Sequence, residues 1–503
     1  MPKRLSSLLA FALVVVAMVA AHFPFLRLPY FWDEAGYYVP AALDFSRCWQ
    51  LIPTHTLPVG HTPLVMIYLG LVWRLLGDAP FVTRVAMSLV AAATLVTLYV
   101  VARRLVDRET AFWSALLLAL SPMFFAQSTL VHLDLPVALF TMLAVLFLLR
   151  DQWWLFALAA LAAVLTKETA VVILPVAWLY SLRRGAEQVT HGKKWLHTAA
   201  ALALPVMGLA AWAFYYRSMT GYWTGNRGYL AYNLYTTLSP ARAFWSLLRR
   251  AYELFFSGFN WLLAGAAVAG IWWGRRHSFH ALQSSKWRSL RFLAGGLIIV
   301  YLLLLSIVGG AILPRYLLPV IPLFYLVAAT FVSHLPRLLA RLALGATAAC
   351  FVWAWFINPP CPFPYEDNLS YAHFIRLHQQ AANYLESQPG QPRILTAWPA
   401  SDELTHPYLG YVSRALEVVP IDGFAPDDIV NVRPESFDLL YLYSRKWEPP
   451  GNWMTRFPAW LRLQERYFDY RPQASFEDFA ARYRLHLLAE FESAGQWVRI
   501  YRR

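Results

Sequence analysis

Cysteine and charge are both scarce in this chain of 503 residues: there are three cysteines, and Lys, Arg, Asp and Glu together make up 14%. So few cysteines exclude a disulfide-built scaffold. Cys350 lies in an apolar run, while Cys48 and Cys361 fall on what is read below as one side of a membrane and are able in principle to pair; free thiols are the expectation. There is no CxxC, HExxH or GxxxxGK, and no GxGxxG between a strand and a helix, so zincin, NTPase and dinucleotide readings have no support. An internal repeat, common in secondary transporters, is also missing. Low charge together with 58% hydrophobic and 16% aromatic residues excludes an ordinary soluble domain. Most of the chain belongs in lipid.

Apolar runs of about 20 residues, enough to cross a bilayer, recur over residues 5–357 and then stop. Residues 358–503 hold 15 of the 43 Lys and Arg and 18 of the 29 Asp and Glu, which leaves 28 against 11 in the first part. A basic excess in a membrane protein reflects topology, because Lys and Arg gather in cytoplasmic loops; nucleic acid is not an expected partner. The apolar run after Lys3 and Arg4 has the form of a secretory signal, but with so many spans following, a retained first helix is expected.

With the N-terminus inside, helices are predicted over 5–22, 81–102, 110–127, 135–149, 152–166, 169–182, 196–215, 254–274, 290–312, 316–333 and 336–357, about eleven transmembrane helices in all. This places Arg103, Arg104, Arg108, Arg150, Arg183, Arg184, Lys193, Lys194, Arg275, Arg276, Lys286, Arg288 and Arg337 in the cytoplasm and the tail outside. Residues 64–76 are apolar but too short to span, so an interfacial helix is expected there. Counting them as a span would turn every later basic loop outward. The expected architecture is an α-helical polytopic membrane domain over 1–357, with an exoplasmic loop at 23–80, and a small C-terminal exoplasmic α/β domain over 358–503. In the tail, 393–398, 415–420, 437–443 and 497–501 read as strands, and the proline-rich 358–364 reads as a linker. Nothing in the tail looks like a catalytic motif.

Acids are so few in the membrane part that each can be weighed. Asp33, Glu34, Asp44, Asp78, Asp134, Glu168 and Glu253 fall outside; Asp107, Glu109, Asp151 and Glu187 fall inside. The sharpest feature is Tyr30-Phe31-Trp32-Asp33-Glu34-Ala35-Gly36-Tyr37-Tyr38, where paired acids sit among aromatics just after the first span. A helix N-cap accounts for Asp33 as readily as chemistry does. Gly60-His61-Thr62-Pro63-Leu64 and His132-Leu133-Asp134-Leu135-Pro136 follow, and a histidine at an interface is often only a structural hydrogen-bonding group. Thr166-Lys167-Glu168 and Pro314-Arg315-Tyr316 interrupt apolar segments on the same side, where either cation has snorkelling to headgroups as its alternative.

In this order the motifs resemble polytopic glycosyltransferases of the GT-C fold, especially the bacterial relatives of protein O-mannosyltransferases and of the lipid A aminoarabinose transferase, a PMT-like family. The resemblance covers residues 1–357 and rests on Asp33-Glu34, His61 to Leu64, Asp134 to Pro136, Thr166-Lys167 and Arg315 to Pro319. Thr62 departs from it, where a second proline is common, as does Glu168, where a glycine often follows the lysine. The resemblance implies a polyprenyl-phosphate sugar donor, a glycan, lipid or protein acceptor, and a site outside the cytosol. A carboxylate would take the acceptor's proton, for which Asp33 is chosen, and Lys167 and Arg315 would hold the departing phosphate. Glu34 and Asp134 would orient base or acceptor, and His61 and Tyr316 would line the donor site. No cofactor and no metal are expected. A flippase for a lipid-linked sugar and a non-enzymatic receptor are the alternatives; the first calls for charges on broken helices at mid-bilayer, and the second leaves the clustered charges unexplained.

A reporter fused after Arg184 is expected to read as cytoplasmic and one after Pro364 as exoplasmic. A cytoplasmic signal from the second would overturn the sidedness of every motif above.

Overall fold

The computed structural model describes residues 2–58, 60–187, 193–276, 285–430, 432–448, 456–468, 470–471, 479 and 482–503. The side chains of Glu187, Lys193, Lys194 and Lys286, used above for sidedness, lie outside the described residues. Where the chain is apolar it is helical, since a backbone group in lipid finds a partner only within its own helix. Among the described residues, four helices are long and apolar enough to cross a membrane: Pro80–Leu105, Trp195–Thr220, Trp287–Ile307 and Arg337–Ala354. Pro240–Phe255 with Ser257–Arg276 adds a pair bent by 46°. The shorter apolar helices of 10–17 residues among the described residues are Leu8–Ala21, Leu64–Leu76, Asp134–Leu149, Trp153–Thr166 and Ile321–Val332, and Arg108–Leu120 and Ile173–Glu187 pack with them.

Several predicted spans are thus shortened or broken, and proline explains most of the breaks. The run 110–127 is two helices, Arg108–Leu120 and Pro122–Gln127, because Ser121 before Pro122 is extended (φ −62°, ψ 135°). The run 316–333 becomes helical only at Ile321, after the 3-10 turn Pro314–Leu317. The run 254–274 begins at Asn260, past Gly258 at φ 59°.

One helix, Pro240–Phe255, was not predicted at all. Its polar residues Arg242, Ser246, Arg250 and Glu253 are buried, while Phe244, Trp245, Leu248 and Tyr252 are exposed. This inside-out amphipathicity averages to a weak hydropathy signal. Its purpose is visible in its bonds: Arg242 donates to the carbonyls of Gly309 and Gly310 at 2.8 and 2.9 Å, and Arg250 to that of Leu313 at 2.7 Å.

Residues 64–76 do form a helix of 13 residues, about 20 Å long at 1.5 Å per residue. Val65, Met66, Leu69 and Trp73 are buried and Leu71, Leu75 and Leu76 are exposed, and the helix packs on Val39–Cys48 and Pro80–Leu105. All three cysteines are free.

The tail holds a mixed five-stranded sheet in the order β2-β1-β3-β5-β4, with β1 Ile394–Ala397, β2 Val418–Ile421, β3 Leu439–Tyr443, β4 His486–Ser493 and β5 Gln496–Arg502. β1 pairs in parallel with β2 and β3, and β5 runs antiparallel to β3 and β4. The edge strand β4 was missed because a register shift between Leu487 and Ala489 breaks its alternation. Helix Ser370–Glu386 packs on β4 and β5, with Phe374 and His378 against Tyr443 of β3, while its Tyr371 faces Phe25 and Phe31 of the helical part.

This domain is docked on the helices. Tyr30 N–H donates to Leu409 O (3.2 Å), Tyr411 OH to Tyr30 O (3.1 Å), and Gln127 Nε2 to Glu366 O (3.1 Å).

Close helix contact supplies a test. At Gly270 an added Cβ would lie 2.0 Å from the Phe331 carbonyl oxygen, and backbone cannot yield as a side chain can. Gly270→Ala is expected to cost about 1–3 kcal/mol, read as a lower unfolding temperature in detergent. Gly265→Ala, with nothing within 4 Å of its Cβ, is the control and should unfold like wild type.

Candidate functional site

Each predicted site residue sits where regular helix fails. Asp33 precedes a π-helical turn, Glu34–Tyr38, and Trp32 before it holds a left-handed φ of 47°, a conformation that non-glycine residues keep only where their surroundings enforce it. Lys167 is a single extended residue (φ −155°, ψ 128°) between Trp153–Thr166 and the 3-10 turn Glu168–Val172. Arg315 and Tyr316 lie in the turn Pro314–Leu317, and Asp134 opens the helix Asp134–Leu149.

The fold joins these breaks around one guanidinium. Arg315 is 1% exposed. Its Nη2 pairs with Asp33 Oδ2, its Nε lies 3.6 Å from Asp134 Oδ2, and its Nη1 meets Glu366 Oε2 at 2.5 Å and His132 Nε2 at 2.8 Å. Lys167, 6% exposed, donates to Asp134 Oδ1 at 2.7 Å and stands 3.9 Å over the Tyr316 ring. Neither cation snorkels. Asp33 makes no capping hydrogen bond either, so the capping alternative fails.

Glu34 takes a different place. It is fully buried, pairs with Arg84 through both oxygens, and accepts the backbone N–H of Phe31 (2.7 Å) and Val131 (2.5 Å). Its carboxylate pins the Asp33 turn to the 129–131 loop rather than facing the Arg315 cluster. His61 pairs with Glu168 at 3.1 Å and lies one ring from the cluster: Tyr38 is 6.5 Å from His61 and 6.2 Å from His132.

Sequence reasoning left three members of the site unassigned. Arg84 lay in a predicted span, where a buried cation signals a partner or a function. His132 was noted beside Asp134 but given no role. Burial first, then Arg315, Arg84 and Lys167, hold its ring well below its ordinary value, so it is neutral. Since Arg315 can only donate, Nε2 accepts and Nδ1–H donates to Gln127 Oε1 (2.6 Å). Glu366 comes from the 3-10 turn Tyr365–Asp367, just past the predicted linker, in a tail where no motif pointed to it. Burial, reinforced by Asp33 and Asp134 and opposed by Arg315, pushes the Glu366 carboxyl up to about 7.

The result is a buried cluster with three carboxylates, Asp33, Asp134 and Glu366, against two cations, Lys167 and Arg315. Such a cluster can hold an anionic group on fixed cations and accept a proton beside it. Among the described residues, no group of three or more His, Cys, Asp or Glu is placed to hold a metal ion.

Comparison with known proteins bears on the fold and the class. The family described as dolichyl-phosphate-mannose-protein mannosyltransferase matches residues 60–212. No curated protein sequence matches. In fold, the chain is similar to apo ArnT from Cupriavidus metallidurans (TM-score 0.58, 14% identity, 99% of this chain and 98% of that one). It is equally similar to the same protein bound to undecaprenyl phosphate (TM-score 0.58, 14% identity, 97% of each chain). An oligosaccharyltransferase from Archaeoglobus fulgidus, in complex with Zn and sulfate, follows at TM-score 0.50 and 12% identity, over 86% of this chain and 67% of that one. The resemblance drawn from the motif order therefore stands: this is a multi-pass membrane protein, part of which matches that mannosyltransferase family and the whole of which is similar in fold to ArnT.

The Glu34–Arg84 pair supplies a prediction separate from catalysis. Arg84→Met strands a buried carboxylate and is expected to cost about 3–5 kcal/mol, measured by thermal unfolding in detergent. Adding Glu34→Gln should recover much of the loss; no recovery would mean that the pair is not what holds this turn.

Proposed function

We propose that the chain is a glycosyltransferase of the inner (plasma) membrane that moves a sugar from a polyprenyl-phosphate carrier to a hydroxyl on a glycan, lipid or protein at the exoplasmic face, with inversion at the anomeric carbon. A difference in exposure carries this reading: the Asp33 side chain is 19% exposed, against 0% for Glu34, 3% for Asp134 and 5% for Glu366. Of these four acids, Asp33 is the one an incoming acceptor can reach. The mannosyltransferase match and the undecaprenyl phosphate bound to ArnT support a lipid-phosphate donor.

In this mechanism Asp33, paired with Arg315, takes the hydroxyl proton as the acceptor oxygen attacks the sugar carbon from the face opposite the phosphate. The bond to the phosphate oxygen breaks, and negative charge grows on the departing lipid phosphate. Lys167 and Arg315 stabilise that charge from fixed positions in a dry site, where such interactions are strongest. Asp134 holds Lys167 and Arg315 apart and in register, and Tyr316 lies beneath the Lys167 ammonium. Glu34 acts at one remove, by fixing the turn that presents Asp33. His61, oriented by Glu168, flanks the donor side.

Asp33→Asn separates this reading from a structural one, because asparagine keeps the shape and loses the basicity. With a donor identified by screening polyprenyl-phosphate sugars, turnover is expected to fall by about a hundredfold or more while lipid binding persists. Turnover above about a tenth of wild type would remove Asp33 from the role of base.

A further inference from the structure

The site as it stands has no room for another negative charge. Three carboxylates already face two cations, and the neighbouring Arg249 and Arg250 are engaged by Glu253 and by the carbonyls of Ile312 and Leu313. A lipid phosphate settling on Arg315 would raise a buried excess of one negative charge to two. In a low-dielectric site such an excess is relieved by neutralising a group.

Geometry distinguishes the carboxylates. Asp134 is held by both Lys167 and Arg315, so it keeps a cation if Arg315 turns away. Asp33 is the exposed one and has water as an alternative partner. Glu366 is buried, and among the described residues Arg315 is its one cation at ion-pairing distance, with the neutral His132 at 3.8 Å. Its Oε1 has no hydrogen-bond partner among the described residues. The charged and titratable groups around it are Arg315, His132 and Asp134 from the helical domain, Asp33 from the loop, and Asp367 beside it, itself held well above its ordinary value by burial, Glu366 and Glu253.

Resting on the glycosyltransferase reading, we propose that Glu366 is a positioning residue that occupies the phosphate's place on Arg315 in the donor-free enzyme and yields it by exchange, taking up a proton from solvent as the lipid phosphate binds. The sign follows from the partners: losing Arg315 removes the one neighbour that favours the charged form, so donor binding raises the affinity of Glu366 for a proton. The C-terminal domain thereby contributes to donor capture, since the exchanging group is carried on its first turn. One consequence is that donor binding weakens as pH rises.

The test uses the full-length protein in detergent and undecaprenyl methyl phosphodiester, a probe whose single charge is fixed across the range. Calorimetric titration in buffers of different ionisation enthalpy counts protons. Wild type is expected to take up close to one proton per probe bound at pH 8, with affinity falling toward tenfold per pH unit above about 7. Glu366→Gln should take up none, show a flat profile, and bind about tenfold more tightly than wild type at pH 8. Asp33→Asn should keep the wild-type uptake. Absence of proton uptake in wild type, or a wild-type slope in Glu366→Gln, overturns the exchange even if that variant folds poorly, because the first measurement needs no variant. Should wild type fail to bind the probe at all, the glycosyltransferase reading falls first and the exchange with it.

Discussion

Arg315 is the side chain on which the arrangement depends. A buried guanidinium must be paired, and its five donors in a rigid fork can satisfy several acceptors at once. Here the partners come from three separate stretches: Asp33 from the loop after the first helix, His132 and Asp134 from the turn before a short span, and Glu366 from the C-terminal domain. Satisfying one charge therefore assembles the site. The same requirement docks the sheet domain, because its first turn carries a carboxylate that would otherwise be buried without a cation.

Holding Arg315 in place falls to a helix that faces the wrong way for a soluble protein. Pro240–Phe255 turns arginines inward and aromatics outward, and its arginines tie down the carbonyls of Gly309, Gly310, Ile312 and Leu313 just ahead of Pro314. Non-helical backbone deep in a membrane protein persists only where protein groups satisfy it. The helix supplies those groups. Prolines then set where the breaks fall, at Pro122 and Pro314, and the functional side chains follow those breaks.

Much of this was legible from sequence because its causes are local. Apolar length and the basic bias of the loops gave the membrane character, and strand-like alternation gave four of the five strands in the tail. Asp33, Asp134, Lys167 and Arg315 stood out because charge is rare in such a chain and expensive in lipid. The roles within that set were less legible. Glu34, adjacent to Asp33 and equally acidic, turns out to be sealed against Arg84, a distinction set by which way one turn of backbone faces. The helix Pro240–Phe255 hid because opposite faces cancel in any average along the chain.

By itself the sequence determined that this protein lives in a membrane, which short polar interruptions break its apolar runs, and that acids and cations gather at those interruptions; each follows from hydrophobicity and charge counted along the chain. Only the tertiary structure decided which acid meets which cation, that Arg84 pairs with Glu34 while His132 and Glu366 meet Arg315, and that Asp33 alone among the acids on Arg315 keeps contact with solvent. The physical reason is that pairing and exposure depend on distances across the fold. Arg315 and Asp33 are 282 residues apart in sequence yet in contact, and no local pattern encodes that meeting.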